Sequence, residues 1–239
     1  MFDEQGVVDE QGVVEDQGVI DEQGVVRIGS VVFAMIRPTP GHERAFNHWY
    51  ERDHYYTAGT AAPGVFSAAR FVEPASGVHL ALYFVLPGHD DARVAFATEQ
   101  VAQAAAEDRL FGEREHLHTW SYTVESAVEG DDGVPLALAL DHRYAALAVA
   151  MVDLSEEDGA ARGNRQEGDG GPPSLTLRPS APIMPSAWEG EIDPDRRRIV
   201  IDFHTASPAP VREGAAWSAA FVPVVFGTDT HVTDSPRPG

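Results

Sequence analysis

Three side chains in the first third of the sequence have the types and spacing of a proton-transfer site. Asn47, Tyr50 and His54 fall within two turns of a predicted helix, and Tyr50 and His54 are four residues apart on one face. A neutral imidazole accepts protons near neutral pH, and a tyrosine hydroxyl beside it can share the relay. The alternative is an amphipathic helix with a structural role, whose aromatic rings pack against the core while their polar atoms reach water. Aromatic residues at helical spacing are more often structural than catalytic.

A second group of candidates comes from the strands after this helix, whose alternation predicts two faces. One face combines Arg, His, Trp and Tyr, which suits a pocket or an interface between sheets; it holds Phe66, Ala68, Arg70, His79, Ala81, Tyr83, His116, His118, Trp120 and Tyr122. The other face is apolar and is predicted to lie under helices; it holds Ala69, Phe71, Leu80, Leu82, Phe84 and Leu117. The predicted substrate-binding residues are Arg70, Trp49, Tyr83, His118 and Trp120.

Arg70 needs a partner because a charge in a strand is costly when it is unpaired. An acidic ligand would satisfy it, and so would a structural ion pair with a carboxylate of this chain or another. Asp53, Asp153 and Asp202 are the candidate partners within the chain. The sequence favours the structural pair and leaves the ligand open.

The sequence predicts no metal site and no cofactor. His116 and His118 are spaced so that alternate strand residues could bind one metal ion, but this pair lacks a third identified ligand. No Ser lies in a G-x-S-x-G context, no G-x-G-x-x-G follows a strand, and no Walker-type loop occurs.

Composition narrows the function classes further. The 239 residues carry a formal net charge of -21, so we expect neither nucleic acid nor an anionic membrane as a partner. Cysteine and lysine are absent, which excludes disulfides, thiolate chemistry and a lysine Schiff base. No apolar run is long enough to span a bilayer and no secretory signal is visible, so we expect a cytoplasmic protein.

The sequence predicts that the first 128 residues form a tail followed by one folded unit. Residues 1–26 contain four copies of a hexapeptide close to DEQGVV and are predicted to be a disordered acidic tail, with docking as an added strand as the alternative. In 27–128, strands at 28–36, 65–72, 78–86 and 117–128 alternate with the helix that carries His54 and a second helix at 91–109. The order β-α-β-β-α-β is the ferredoxin-like unit.

The second half repeats the first weakly. Ala34-Met35 corresponds to Ala150-Met151 at an offset of 116, and Tyr83-Phe84 corresponds to Asp202-Phe203 at an offset of 119. After a linker at 129–143, a degenerate unit at 144–228 is predicted, with strands at 144–154, 182–188, 197–204 and 221–226, before a loose end at 229–239. The predicted fold class is α+β, with two tandem ferredoxin-like units that form an α/β barrel within one chain.

The motif around His54 resembles the EthD-like proteins of the dimeric α/β-barrel superfamily. The resemblance covers about residues 28–125 and is carried by Phe46, Asn47, Trp49, Tyr50, His54, Pro63, Gly64, Ala69, Arg70 and Phe71. Residues 55–62 replace the short segment that usually separates the His from the Pro-Gly pair. The resemblance names a superfamily, not a reaction.

The resemblance implies a cofactor-independent lyase, isomerase, cyclase or oxygenase that acts on a small hydrophobic or aromatic molecule. His54 would be the base, Tyr50 and Asn47 would orient it or stabilise an enolate, and Arg70 would hold a substrate anion. The alternatives are a non-catalytic ligand-binding or accessory protein, and a haem or metal protein. A homodimer remains open, because a fused repeat can replace dimerisation or add to it.

Overall fold

The computed structural model describes residues 19–20, 24–154, 171–184, 193 and 195–234. Most of the predicted tail at 1–26 lies outside these ranges, as do residues 155–170 and 185–192. Within the described part of that tail, Ile20 forms an isolated antiparallel bridge with Val26.

Eight strands close into one antiparallel barrel. Around the barrel they follow the order β1-β3-β2-β8-β5-β7-β6-β4, and β4 pairs with β1 to complete the ring. Their bounds are β1 Ser30–Pro38, β2 Val65–Val72, β3 His79–Val85, β4 Arg114–Val128, β5 Ala146–Asp153, β6 Ser174–Met184, β7 Arg197–His204 and β8 Trp217–Pro223.

The strands of each half of the chain are neighbours in the barrel. The first four lie in the order β4-β1-β3-β2 and the last four in the order β8-β5-β7-β6. The two groups meet at two junctions. β4 pairs with β6 over most of its length, whereas β2 pairs with β8 only through Phe71 with Pro223 and Val72 with Val222.

Apolar side chains from both halves fill the interior of the barrel. Alternation along the strands supplies them, since every second residue points inward. Phe33, Phe84, Phe203 and Phe221 are fully buried members of this cluster. Leu136 belongs to it as well, so the predicted linker at 129–143 packs against the barrel through a short 3₁₀ turn, Leu136–Leu138.

Helices cover the outer face of the first half. Helix α1, Glu43–Trp49, continues directly into a π-helix, Tyr50–Thr60, which we call the π segment. Helix α2 spans Asp90–Ala106. Between these helices and the sheet lies a second apolar cluster, which contains Val32, Ala34, Ile36, Phe46, Tyr50, Ala81, Tyr83 and Val85. Among the described residues, no helix has the length and apolarity that crossing a bilayer requires.

The prediction of which sheet face lies under the helices is wrong. Leu80, Leu82 and Phe84 point into the barrel, and the face with Ala81 and Tyr83 lies under the helices. The reason is that an apolar face suits a barrel interior as well as it suits helix cover, and only the closure of the barrel decides between them.

A β-bulge in β4 separates two histidines that alternation had placed on one face. Met35 faces His118 and its neighbour Ile36 faces His116, so one extra residue of β4 interrupts the ladder. His118 therefore packs inside the barrel against Phe33, while His116 lies on the helix side.

Strand boundaries agree best where no proline intervenes. The predicted strands at 65–72 and 197–204 coincide with β2 and β7. The strand predicted at 182–188 overlaps the end of β6, Ser174–Met184, and residues 185–188 lie outside the described ranges. β6 begins earlier than predicted and accommodates Pro179 and Pro182 near register shifts in its ladder with β4. The strand predicted at 221–226 begins earlier, at Trp217.

The described part of the predicted loose end at 229–239 is attached to α1. Val232 is buried, and the Asp234 carboxylate accepts a hydrogen bond from the backbone N–H of Arg44 at 2.9 Å. Asp229 contacts α1 through His48, at 3.0 Å.

Candidate active site

A cavity of about 240 Å³ lies between the helices and the outer face of the first-half sheet. Its floor is apolar and comes from β1, through Val32, Ala34 and Ile36. Polar side chains enter from the walls: His54 and Tyr50 from the π segment, Tyr83 from β3, Arg93 and Thr98 from α2, and Arg114, His116 and Thr119 from β4. Ile183 and Met184 of β6 complete the lining, so both halves of the chain contribute to it.

Aromatic packing holds the His54 ring at this cavity. The ring stacks on Trp49 with the centroids 4.9 Å apart and meets the edge of Tyr50 at 5.0 Å. Trp49 is anchored in turn, because its indole N–H donates to the backbone carbonyl of Arg109 at 2.7 Å. Arg109 also donates to both carboxylate oxygens of Asp53, at 2.7 Å each, which ties the π segment to the residues after α2.

The His54 imidazole is neutral and has no hydrogen bond to any residue that the structure describes. Burial first, and then the positive charge of Arg114 and the nearby His116, lower its pKa from 6.5 to about 4. At neutral pH the ring therefore offers one N–H donor and one lone pair to a molecule in the cavity.

Tyr50 and Tyr83 form a buried hydroxyl pair at the cavity wall. Their oxygens share a hydrogen bond of 2.8 Å, and burial raises the pKa of both phenols. Gly59 of the π segment lies directly against this pair. A Cβ at that position would come within 2.5 Å of the Tyr83 ring, so only glycine allows this close approach.

β4 contributes a cation and a second neutral histidine. The Arg114 Nε–H donates to His116 Nε2 at 3.3 Å, and its guanidinium lies 4.9 Å from the centre of the Trp49 ring. Burial, and then the charge of Arg114, lowers the pKa of His116 to about 4. The polar lining of the cavity in the described residues is thus neutral or cationic, with no carboxylate.

Arg70 and Asn47 lie behind the cavity wall. The Arg70 guanidinium lies 4.2 Å from the centre of the Tyr50 ring and donates to Asn47 Oδ1 at 3.1 Å. It also contacts His79 Nδ1 at 3.2 Å and Glu51 at 3.9 Å. Structural pairing is therefore what the structure shows for Arg70, and its carboxylate partner is Glu51, not Asp53, Asp153 or Asp202.

The other predicted site residues divide between the cavity and the barrel interior. His54, Tyr50 and Tyr83 line the cavity, and Trp49 supports it from behind His54. Asn47 is outside the lining, because its amide N–H₂ donates to Thr228 and Asp229 and its oxygen accepts from Arg70. His118 and Trp120 stack on each other inside the barrel, on the opposite face of β4 from His116.

The bulge between His116 and His118 also prevents the two from binding one metal ion, since they lie on opposite faces of the sheet. Within the described ranges, no group of three His, Asp or Glu side chains is arranged to hold a metal.

Sequence reasoning missed Arg93 and Arg114. The prediction of a helix at 91–109 named no functional residue on it, yet Arg93 is 3% exposed, whereas its apolar neighbour Val94 is 38% exposed. A signal was present, because Arg93, Ala97 and Val101 are spaced four residues apart and share one helix face. An arginine in line with apolar residues on a covered face is a candidate for function.

By architecture, the chain is a closed antiparallel barrel of eight strands with helices on one side. Neither a protein-family model nor a curated protein matches its sequence. Among solved structures it is similar to the crystal structure of an anthrone oxidase-like protein. That similarity has a TM-score of 0.51 at 10% sequence identity, and it covers 83% of this chain and 92% of the other. At this identity the similarity shows the barrel fold alone.

Proposed function

We propose that this protein is a cofactor-independent enzyme of the lyase, isomerase, cyclase or monooxygenase type, with His54 as the general base. The observation that carries the proposal is a neutral imidazole at a mostly apolar cavity, with no hydrogen bond to a described residue. A hydrophobic or aromatic molecule suits this cavity, and its acidic C–H would face the free lone pair of the ring.

The neighbouring groups supply the other roles in this proposal. When His54 takes the proton, the electron pair of the C–H bond forms the C=C bond of an enolate, and the carbonyl π pair moves onto the substrate oxygen. The Tyr50–Tyr83 pair lies in the same lining and would stabilise that oxygen. Asn47 and Arg70 act as positioning residues, because Arg70 packs on Tyr50 and Asn47 holds Arg70.

We also propose that the chain is an EthD-like member of the dimeric α/β-barrel superfamily, built from two tandem ferredoxin-like units. Both halves show the same strand order, which supports a duplication. The two offsets noted in the sequence pair Met35 with Met151 and Phe84 with Phe203, and all four side chains point into the barrel. Units at 27–128 and 144–228 would then close within one chain a barrel that needs two chains elsewhere.

Deuterium exchange tests the base. Anthrone, 2-tetralone and phenylpyruvate each carry a C–H that is acidified by a neighbouring carbonyl, and anthrone follows from the similarity to an anthrone oxidase-like protein. We expect the protein to accelerate exchange of at least one of these in D₂O, followed by NMR, and His54→Gln to lower that rate by about 100-fold or more.

His48→Gln is the matched control, because His48 lies on α1, is exposed and does not line the cavity. It should exchange the substrate at the wild-type rate. Full exchange by a folded His54→Gln protein would refute the assignment of the base.

The pH profile of exchange gives a second test. His54 must be neutral to accept a proton, and its pKa in the folded protein is about 4. We therefore expect kcat/KM to be constant above about pH 5 and to fall as the pH drops through about 4. A fall centred near the ordinary histidine value of 6.5 would place the base elsewhere.

A non-catalytic binding or accessory protein is the second candidate. The same low pKa favours it, because an imidazole with a pKa of about 4 is a weak base. A binder would accelerate none of the three exchange reactions and would keep its ligand affinity in His54→Gln.

A further inference from the structure

We propose that the cavity recognises its ligand through a carboxylate, for which the guanidinium groups of Arg93 on α2 and Arg114 on β4 provide the positive charge. The proposal rests on the cavity being the ligand site of the function proposed above, and it names the class of molecule: a small aromatic or hydrophobic carboxylic acid.

Arg93 is a buried cation whose hydrogen-bonding capacity is mostly unused. Its side chain lines the cavity and is 3% exposed. One Nη donates to Ser121 Oγ at a long 3.4 Å, and the buried Nε–H has no partner in the structure. A guanidinium has five N–H donors, and leaving them without acceptors in an apolar site is costly. The Arg93 guanidinium therefore lacks a hydrogen-bond acceptor for its Nε–H among the described residues.

The nearest carboxylate does not supply that acceptor. Asp90 interacts with Arg93 only through its charge. Its Oδ1 instead accepts hydrogen bonds from Ser30 at 2.6 Å and from Ser121 at 3.3 Å. Asp90 is also outside the cavity lining.

Arg114 enters the same cavity without a carboxylate. Its described contacts are the His116 ring and the face of Trp49. Both are neutral, so the positive charge of Arg114 is left uncompensated at the cavity wall.

The other arginines that the structure describes behave differently. Arg37, Arg70, Arg109, Arg197, Arg198 and Arg212 each form an ion pair with an Asp or Glu. The remaining ones, apart from Arg93 and Arg114, are exposed to water. Since the chain carries 38 acidic residues, two covered arginines without a carboxylate, both at one cavity, point to a ligand that brings its own.

Arginine suits this role, because its planar donors bind the two oxygens of a carboxylate in parallel. The apolar floor formed by β1 would then take the hydrocarbon part of the molecule.

Titration calorimetry with matched acid and amide pairs tests the proposal. Benzoate and 2-naphthoate are compared with benzamide and 2-naphthamide, which have nearly the same shape without the charge. We expect at least one acid to bind more tightly than its amide by about tenfold or more. Equal affinities, or no binding of either acid, would overturn the proposal.

Arg93→Met and Arg114→Met assign the groups. Each variant should lose about tenfold or more in affinity for the acid and little for the amide. Arg93→Met should also keep or raise the Tm, because methionine replaces an unpaired buried charge, whereas a structural arginine would lower the Tm when removed. Arg44→Met, at an exposed position on α1, is the control and should bind as the wild type does. Acid binding that is unchanged in both cavity variants would overturn the assignment.

The two proposals fail in different ways. His54→Gln removes the base and keeps both guanidinium groups, so it tests only the exchange reaction. If exchange depends on His54 while no acid binds better than its amide, the carboxylate proposal fails alone. If the acid binds through Arg93 and Arg114 while exchange is indifferent to His54, the base assignment fails alone.

Discussion

β1 and β5 occupy corresponding places in the two halves of the barrel; both present large apolar side chains to the interior, and their outer faces have different surroundings. Toward the interior, β1 presents Val31, Phe33 and Met35, and β5 presents Leu147, Val149 and Met151. Away from it, β1 presents Val32, Ala34 and Ile36 beneath the helices, whereas β5 presents Ala146 and Ala148 to a small cluster with Ala209.

The difference shows which face of the sheet is free to line a cavity. The interior must be filled by both halves together, so both must supply large apolar side chains. The outer faces carry no such shared requirement. In the described residues, only the first half places helices over its sheet, and the cavity with His54, Arg93 and Arg114 lies between those layers. Three changes would break or sharpen this comparison.

Truncation of the interior should cost the two halves equally. Phe84 and Phe203 are both fully buried at corresponding positions of β3 and β7. We expect Phe84→Ala and Phe203→Ala each to lower the free energy of unfolding by about 4 kcal/mol, measured by urea denaturation followed by circular dichroism. The exposed Val94→Ala should stay within about 0.5 kcal/mol. A large cost in one half only would show that the interior is not shared.

Removal of a buried charge on the outer face of the first half should cost more stability than removal of an exposed one in the second half. Arg70 is 2% exposed, so Arg70→Met leaves the buried carboxylate of Glu51 without its ion-pair partner and the Asn47 oxygen without its donor. We expect a loss of about 3 kcal/mol in the same denaturation experiment.

The matched change in the second half is Arg212→Met. Arg212 is 43% exposed and pairs with Asp202 at 3.5 Å, and such exposed pairs contribute less than about 1 kcal/mol. Similar costs for the two variants would remove the distinction between the outer faces.

A buried histidine should make the first half sensitive to acid. Burial, and then the charge of Arg70, lowers the pKa of His79 from 6.5 to about 3. Between pH 6.5 and about pH 3, His79 is therefore protonated in the unfolded chain and neutral in the folded chain. Because protons bind preferentially to the unfolded state, the free energy of unfolding decreases as the pH falls from 6.5 toward 3.

From about pH 7 to about pH 5, the His79 contribution amounts to about 2 kcal/mol. His79→Gln cannot titrate, so its unfolding free energy should fall by that much less than the wild type's over the same interval. Because both proteins share all other titrating groups, parallel pH profiles would mean that His79 does not contribute.

The sequence predicted most of the strands and the helical segment that carries His54, because these depend on local periodicity. β2 and the pair Tyr50–His54 follow from spacing alone. The direction of each sheet face does not, since Leu80, Leu82 and Phe84 would suit either environment until the second half closes the barrel.

The lining of the cavity was predicted in part for the same reason. His54 and Tyr83 are visible as functional residue types on amphipathic elements, but Arg93 and Arg114 matter because they lack carboxylates, which only three-dimensional contacts reveal. His118 and Trp120 were misplaced by a single extra residue in β4, because a bulge reverses the alternation beyond it.

The pairing between β2 and β8 is the shortest strand pairing in the barrel. Two facing residue pairs hold it, and beside them the carbonyl of Arg70 accepts a hydrogen bond from the N–H of Val224 at 2.9 Å. Arg70, whose guanidinium packs on the Tyr50 ring, therefore also lies next to this junction. Separation of β2 from β8 at this point would shift Arg70 and, through its side chain, Tyr50 at the cavity wall, so the shortest junction of the barrel is coupled to the lining of the cavity.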